Sequence, residues 1–478
     1  MRRKKPLLML VALEMLLVNN CNARGTCESP DARVLIFGAG MSGVSAARAL
    51  YDKGLTDFII LEARGEVGGR MRSTEFAGVK VELGANWIMG VDGSTSGNYK
   101  DNPIWALKQQ SGLRAELSNP YNVVVYNSSG AQVPMSASKY RWADISTAYK
   151  KVAELSRKRQ ASGEEDITLK DALALTGWVP STPEDHFVDW YQYDRGEGPS
   201  PNDVSLYRSQ GDRTYKDFGP DAFYVSDQRG FAYLVEYLSK DFIHRAIRLN
   251  TRVHSIHYSN SCVCADVTDK TGAKRYCGRY GVSTFSLGVL QSKDVIFNPK
   301  LPKWKTDAIN MFGVTMYLKV FVQFNITFWN TDVHYVGRVT SARGDYPLFI
   351  PLNQVFDQHP HVLIAVLAGD NAYKASSQDP SITKQEVLNA LKTVYGNIRA
   401  ELVDILVPSW ASDPLYRGAY SYPKVHANHQ SYVDLAAPVG SLFFAGEAMC
   451  EEYFGYVHGA YTSGLNTASA ILEEEHLI

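Results

Sequence analysis

Cysteine is scarce: 478 residues carry six, at positions 21, 27, 262, 264, 277 and 450. So few exclude the dense disulfide framework of small secreted domains. Cys262-x-Cys264 lacks the spacing of a zinc site and no histidine cluster accompanies it, so no metal is expected. Cys262 or Cys264 can pair with Cys277 across neighbouring strands, and the sequence does not choose between them. Excess charge is missing as well. Forty-nine Lys and Arg stand against 50 Asp and Glu, a net charge of −1. That balance excludes a broad basic surface for nucleic acid and a global field for steering a charged substrate. Any preference for a cationic ligand must come from local carboxylates. There is no G-x-S-x-G elbow, and the 11 histidines are scattered, so a Ser/His/Asp triad is not indicated. Internal repeats and low-complexity linkers are absent too.

No confident membrane span is present, so stable insertion is not expected. The first 23 residues are the one segment that invites the question. Arg2-Arg3-Lys4-Lys5 is a basic start, Pro6 to Val18 an apolar run interrupted by Glu14, and Cys21-Asn22-Ala23 a small-residue cleavage site. The pattern predicts a signal peptide over 1–23, with an uncleaved anchor as the alternative. Two glycosylation sequons fit secretion, Asn127-Ser128-Ser129 and Asn325-Ile326-Thr327. The last residues, Glu475-His476-Leu477-Ile478, carry no retention or peroxisomal address.

What is present begins at Arg33. Val34 to Phe37 reads as a buried parallel strand, followed by Gly38, Gly40 and Gly43 at G-x-G-x-x-G spacing. A helix-compatible run, Val44 to Leu50, and a second strand, Phe58 to Leu61, end on Glu62. The first glycine permits a tight turn, the second lets backbone approach a pyrophosphate, and the third lets the helix pack on the strand. The helix N-terminus favours the phosphates. Glu62 is placed to accept hydrogen bonds from a ribose diol. Gly68-Gly69-Arg70 follows as a second phosphate contact, with amides and a guanidinium. Val81 to Trp87 then leads strand-like sequence into a Gly-Ala turn that can border a cofactor ring. Further on, Trp142, Ile145, Ala148 and Val152 have helical spacing within Tyr140 to Arg157.

These motifs together resemble the FAD-dependent amine oxidase family, and within it the secreted plant polyamine oxidases. The resemblance runs over about residues 32 to 473. It includes Asp227-Gln-Arg-Gly-Phe231, Ser286 to Ser292, Leu301-Pro-x-Trp304, Phe444-Ala-Gly-Glu447 and Gly455-Tyr-Val-His-Gly-Ala460. It implies FAD rather than a nicotinamide cofactor. The fold class expected is α/β and α+β. A Rossmann-like FAD domain is built from 24–105, 216–295 and 402–478. A substrate domain with a mixed sheet and flanking helices is built from 106–215 and 296–401.

Lys319 lies in MYLKVFVQF, an alternating apolar strand where an unpaired ammonium is costly and its pKa falls. The plain alternative is an edge-strand or snorkelling lysine. The resemblance implies that it is the catalytic lysine holding a water against the flavin. It also implies cofactor contacts from Val253, Trp410, Tyr416, Glu447, Tyr456 and Val457, beside Gly38, Gly40, Gly43, Glu62 and Arg70. Tyr420 and Tyr456 are expected to sandwich the substrate. Ala419 stands where monoamine oxidases carry the flavin-linked cysteine, so the FAD is expected to be non-covalent. Two departures concern the substrate. Met89 and Gly196 occupy positions where the plant enzymes have acids, with Glu197 adjacent and Asp194 close. The activity implied is oxidation of spermidine or spermine with O₂, in the extracellular space (the apoplast of a plant), by a monomer. Runner-up readings are an altered amine substrate or a flavin-binding protein of low activity.

Overall fold

The computed structural model describes residues 27, 29–92, 99–209 and 216–478; the predicted signal peptide lies outside them. Val34, Leu35, Ile36 and Phe37 are all fully buried, as a four-residue apolar run in a parallel strand should be. This strand, Ala32–Phe37, pairs in parallel with Phe58–Leu61 on one side and with Gly272–Ser283 on the other. The helix between the first two is Met41–Asp52, and Ile247–Arg248 adds a short parallel strand beyond Phe58–Leu61.

Gly272–Ser283 organises this eight-stranded sheet. Its C-terminal half pairs in parallel with Ala32–Phe37 and Leu442–Phe444. Its N-terminal half continues into an antiparallel ladder with Val263–Asp269, which pairs in turn with Arg252–Tyr258. Three separated stretches of chain therefore share one sheet. The closing helix, Val457–Glu474, packs on Met41–Asp52.

The second large sheet has seven strands in the order Leu402–Leu406, Tyr317–Phe324, Val362–Ala368, Leu348–Pro351, Tyr335–Arg338, Val123–Tyr126 and Gln132–Val133. All pairings are antiparallel except Tyr335–Arg338 with Val123–Tyr126. Leu402–Leu406 belongs to this sheet, so it runs past residue 401, where the sequence reading ends the segment. Helix Trp142–Ala161 buries Ile145, Ala148 and Val152, the residues whose spacing predicts it. A small third sheet joins the two regions: Asp221–Val225 pairs with both Trp87–Val91 and Ala115–Leu117.

The cysteines resolve into two bonds. Cys264 pairs with Cys277, directly opposite it in the ladder, and Cys27 pairs with Cys262. The sulfurs of Cys27, Cys262 and Cys264 lie within 4.8 Å of one another, but all are consumed by these bonds and none is a thiolate free to ligate. Cys450 is buried as a free thiol.

Candidate active site

Residues from both large sheets line one cavity of about 1020 Å³, at the upper end for a small-molecule site. Its deepest chemistry starts at the glycine turn. Gly38 has φ +116°, and a Cβ there would meet Thr284 Oγ1 at 2.5 Å. A Cβ on Gly43 would lie 2.1 Å from Gly38 O, so this glycine serves helix packing and does not line the cavity. Gly40 does line it. Helix Met41–Asp52 has no side-chain cap and no acid in its first turn. Its first amides are left for an outside acceptor. Ser42, in the same turn, lines the cavity with a buried hydroxyl that has no hydrogen-bond partner. Uncapped amides and an orphaned hydroxyl at a widened glycine turn fit a pyrophosphate.

Glu62 is buried at the end of its strand, and its carboxylate accepts from the N–H groups of Ala39 and Arg64, both at 2.8 Å. Burial raises its pKa against those bonds. Val253 also lines this end of the cavity.

Further along, Arg70 donates to Glu447 Oε1 at 2.9 Å and to Ala419 O at 2.8 Å. Glu447 accepts in addition from Ser421 Oγ at 2.5 Å and from Gly455 N at 2.8 Å. With Ser421 N donating as well, a buried carboxylate held by one guanidinium and three neutral donors is fully paired, the condition under which such a charge is tolerated. This knot ties the Gly68-Gly69-Arg70 turn to the C-terminal segment, three hundred and more residues away.

Aromatic walls hang from the same turns. Trp410 Nε1 donates to Leu83 O at 3.2 Å, and Tyr416 Oη donates to Gly69 O at 3.1 Å. Their rings meet edge to face at 5.1 Å. Tyr420, Tyr456 and Val457 line the cavity as well. Tyr456 stacks on His458, with ring centroids 5.1 Å apart and planes at 10°; the buried His458 is a support that the sequence reading missed.

Lys319 does not itself line the cavity. It sits one layer behind, 2% exposed, donating to Gly84 O and Asn86 Oδ1 at 2.6 Å each. Gly84 and Asn86 do line the cavity. The amine is thus held at the inner wall, and burial pulls its pKa down to about 7, opposed by Glu82. Glu82 is not singled out by sequence reasoning; it ends the strand Val79–Glu82, and the bend at Leu83 and Gly84 turns the chain so that Gly84 and Asn86 both meet the amine.

At the other end the two departures are both in the wall. Met89 and Gly196 line the cavity, and so does Glu197, the last residue of the short helix Asp194–Glu197. Gly198 follows, and a Cβ there would lie 2.2 Å from Tyr420 Oη, so this helix ends against that hydroxyl. Tyr149 and Tyr193 complete the surroundings: burial, then Glu197, raises Tyr193. Asp194 points elsewhere. It takes both terminal nitrogens of Arg343, at 2.7 and 2.8 Å, while Arg343 Nε donates to Asp189 at 2.7 Å. Buried and committed to that arginine, Asp194 is not a cavity carboxylate.

A dinucleotide turn, a ribose acid and an aromatic-walled cavity backed by a buried lysine define a dinucleotide-dependent oxidoreductase. The chain belongs to the family described as flavin containing amine oxidoreductase, which it matches over residues 41–472, and its cofactor is FAD. Polyamine oxidase 1 of Zea mays is 34% identical, over 97% of this chain and 95% of that protein. Polyamine oxidase 7 of Oryza sativa subsp. japonica is also 34% identical, over 96% and 99%. Lysine-specific histone demethylase 1 homolog 1 of Arabidopsis thaliana is 29% identical, but over only 52% of its own length. Among solved structures, putrescine oxidase bound to putrescine superposes with a TM-score of 0.75 at 18% identity, covering 92% of this chain and 99% of that one.

Proposed function

We propose that this chain is a secreted polyamine oxidase that oxidises the secondary amine of spermidine or spermine. The observation that carries the reading is the cavity wall: Tyr149, Tyr193 and Tyr420 all lie in electrostatic reach of the lining carboxylate Glu197, while Lys319 backs the inner wall. A long polycation needs that combination. Aromatic faces hold its alkyl segments and exclude water, and a carboxylate receives a distal ammonium. Bound FAD supplies the hydride acceptor, with reoxidation by O₂ to H₂O₂. Residues of the chain orient the amine and keep bulk water out. To Lys319, one layer behind the lining residues Gly84 and Asn86, we assign the activation of the water that turns the imine product into an aminoaldehyde and a diamine. Ala419 brings no nucleophile to the cofactor, which supports non-covalent FAD.

Secretion is supported by two disulfides, which persist in oxidising compartments. The Asn325 side chain is exposed, as a glycan acceptor must be. Among the described residues no helix is long and apolar enough to cross a membrane.

The test is anaerobic addition of spermine and spermidine to the yellow protein, followed by product analysis in air. Bleaching and formation of an aminoaldehyde are expected; an unbleached flavin with both amines defeats the reading. A second reading, oxidation of N-acetylated polyamines, is favoured by Met89 and Gly196, where two carboxylates are missing. A substrate panel with H₂O₂ detection separates the two.

A further inference from the structure

Lys319 has a buried charged neighbour, one oxygen of which has no hydrogen-bond partner. Glu82 is 2% exposed and ends the strand Val79–Glu82. One carboxylate oxygen accepts from Phe231 N at 2.7 Å. The other, Oε2, is buried with no hydrogen-bond partner. Two more buried groups nearby are also unpaired, Asn86 Nδ2 and the Tyr224 hydroxyl. Native interiors seldom leave such groups unpaired; Asn86 is bonded to the Lys319 amine through its oxygen, Glu82 is in electrostatic reach of that amine, and Tyr224 is in reach of Glu82.

The segment 82–86 is wrapped around that amine. Gly84 supplies a carbonyl and Asn86 a side-chain oxygen, both at 2.6 Å from Lys319 Nζ. Those two acceptors satisfy two N–H groups, which is all a neutral amine has. An ammonium carries a third, and Glu82 is the anion in electrostatic reach of it. We propose that Glu82 is a positioning residue for Lys319: a buried counter-ion that sets how much of the amine is charged beside the flavin. Resting on the catalytic reading of Lys319, this inference adds the group that tunes it. The two groups are in electrostatic reach but not in hydrogen-bond contact, and the attraction across that gap sets the balance between Lys–NH₃⁺ with Glu–COO⁻ and Lys–NH₂ with Glu–COOH. The pair is neutral overall in both forms, so the exchange calls for no ion from solvent.

The groups facing the pair are few. Lys80, on the same strand as Glu82, acts on it more weakly than Lys319 does. Tyr224, from the neighbouring sheet, is pushed up by burial and then by Glu82, and Tyr335 is coupled to Tyr224. Burial drives the two members of the pair toward each other, Glu82 up to about 7 and Lys319 down to about 7. Groups matched in this way can exchange a proton near neutrality.

Glu82→Gln separates charge from scaffold, because the amide oxygen can still accept from Phe231 N. In the holoenzyme, the limb of the pH profile for flavin reduction that disappears in Lys319→Met should move down by roughly one pH unit in Glu82→Gln. A limb left in place overturns the inference. A profile unchanged in Lys319→Met instead defeats the catalytic reading of the lysine.

A second readout needs no turnover. A carboxyl raised from 4.5 to about 7 on folding stabilises fully below the lower value, and that contribution is lost as pH rises through the upper one. Glu82→Gln should therefore gain thermal midpoint on wild type between those values; parallel curves overturn the proposal. If Glu82→Gln does not fold, Lys319→Met decides. Losing the ammonium should push the Glu82 titration in the stability curve still higher, and an unmoved titration overturns the pairing.

Discussion

Glu197→Gln tests how this chain handles a polyamine with two expected carboxylates missing. The substitution keeps size and hydrogen-bonding reach and removes one charge. Asp194 cannot stand in for it, since both its oxygens are bound to Arg343 at 2.7 and 2.8 Å. Met89 and Gly196 offer no charge at all. A charge-assisted hydrogen bond to a partly desolvated carboxylate contributes about 1.5–3 kcal/mol. That converts to roughly 10- to 150-fold in dissociation constant. The assay is rapid-mixing reduction of the flavin by spermine without O₂, which separates the apparent Kd from the limiting rate. The Kd should rise by that factor while the limiting rate changes little, because the contact is made in ground state and transition state alike. An N-acetylated polyamine, without the charge that Glu197 would meet, should lose much less. Asp194→Asn should act differently, lowering stability by unpairing a buried arginine rather than weakening spermine selectively. A Kd for spermine within twofold of wild type in Glu197→Gln would refute the assignment.

Three further outcomes are expected. Lys319→Met should retain FAD, as judged by the visible spectrum, and slow turnover at least tenfold; wild-type turnover would end its catalytic role. Lys305→Met should lower stability by about 2–4 kcal/mol, since the fully buried amine donates to the carbonyls of Asp434, Leu435 and Ala437 at 2.7, 2.8 and 2.5 Å and its loss orphans them. Burial lowers that amine from 10.5 to about 7, so its contribution is complete above the upper value and lost as pH falls through the lower; the variant's deficit in denaturant unfolding should shrink from alkaline to acid pH. Replacing Cys27 and Cys262 together by Ser releases a closure spanning 235 residues, whereas Cys264 and Cys277 close 13. Loop entropy predicts losses of roughly 5 and 3 kcal/mol, and the reverse order in denaturant midpoints would show that chain entropy is not what these bonds supply.

The cofactor side of the molecule was legible in sequence because its physics is local. A pyrophosphate turn needs three glycines at fixed spacing, an apolar strand before them and an acid after the next strand, all within thirty residues. Each of those demands leaves a residue-type signature. The unusual burial of Lys319 was legible for a related reason, the residue being a cation in a strand whose other positions are uncharged and mostly apolar. Helix Trp142–Ala161 was legible from periodicity alone.

What stayed hidden is long-range. Arg70 meets Glu447 across 377 positions, and Arg343 meets Asp194 across 149. Nothing in either neighbourhood announces the partner. The Arg343 pairing matters most for function, because it decides between two acids three positions apart. In sequence, Glu197 is the adjacent candidate for the missing carboxylate at Gly196, with Asp194 close by. In the fold, Asp194 turns into the arginine and Glu197 ends its helix against the Tyr420 hydroxyl. Three positions apart in a short helix, the two acids would ordinarily share a face; the bidentate hold of Arg343 takes Asp194 and leaves Glu197 as the acid that lines the cavity. On the function proposed, the negative charge that the resemblance places at Gly196 is carried one position further on, by Glu197.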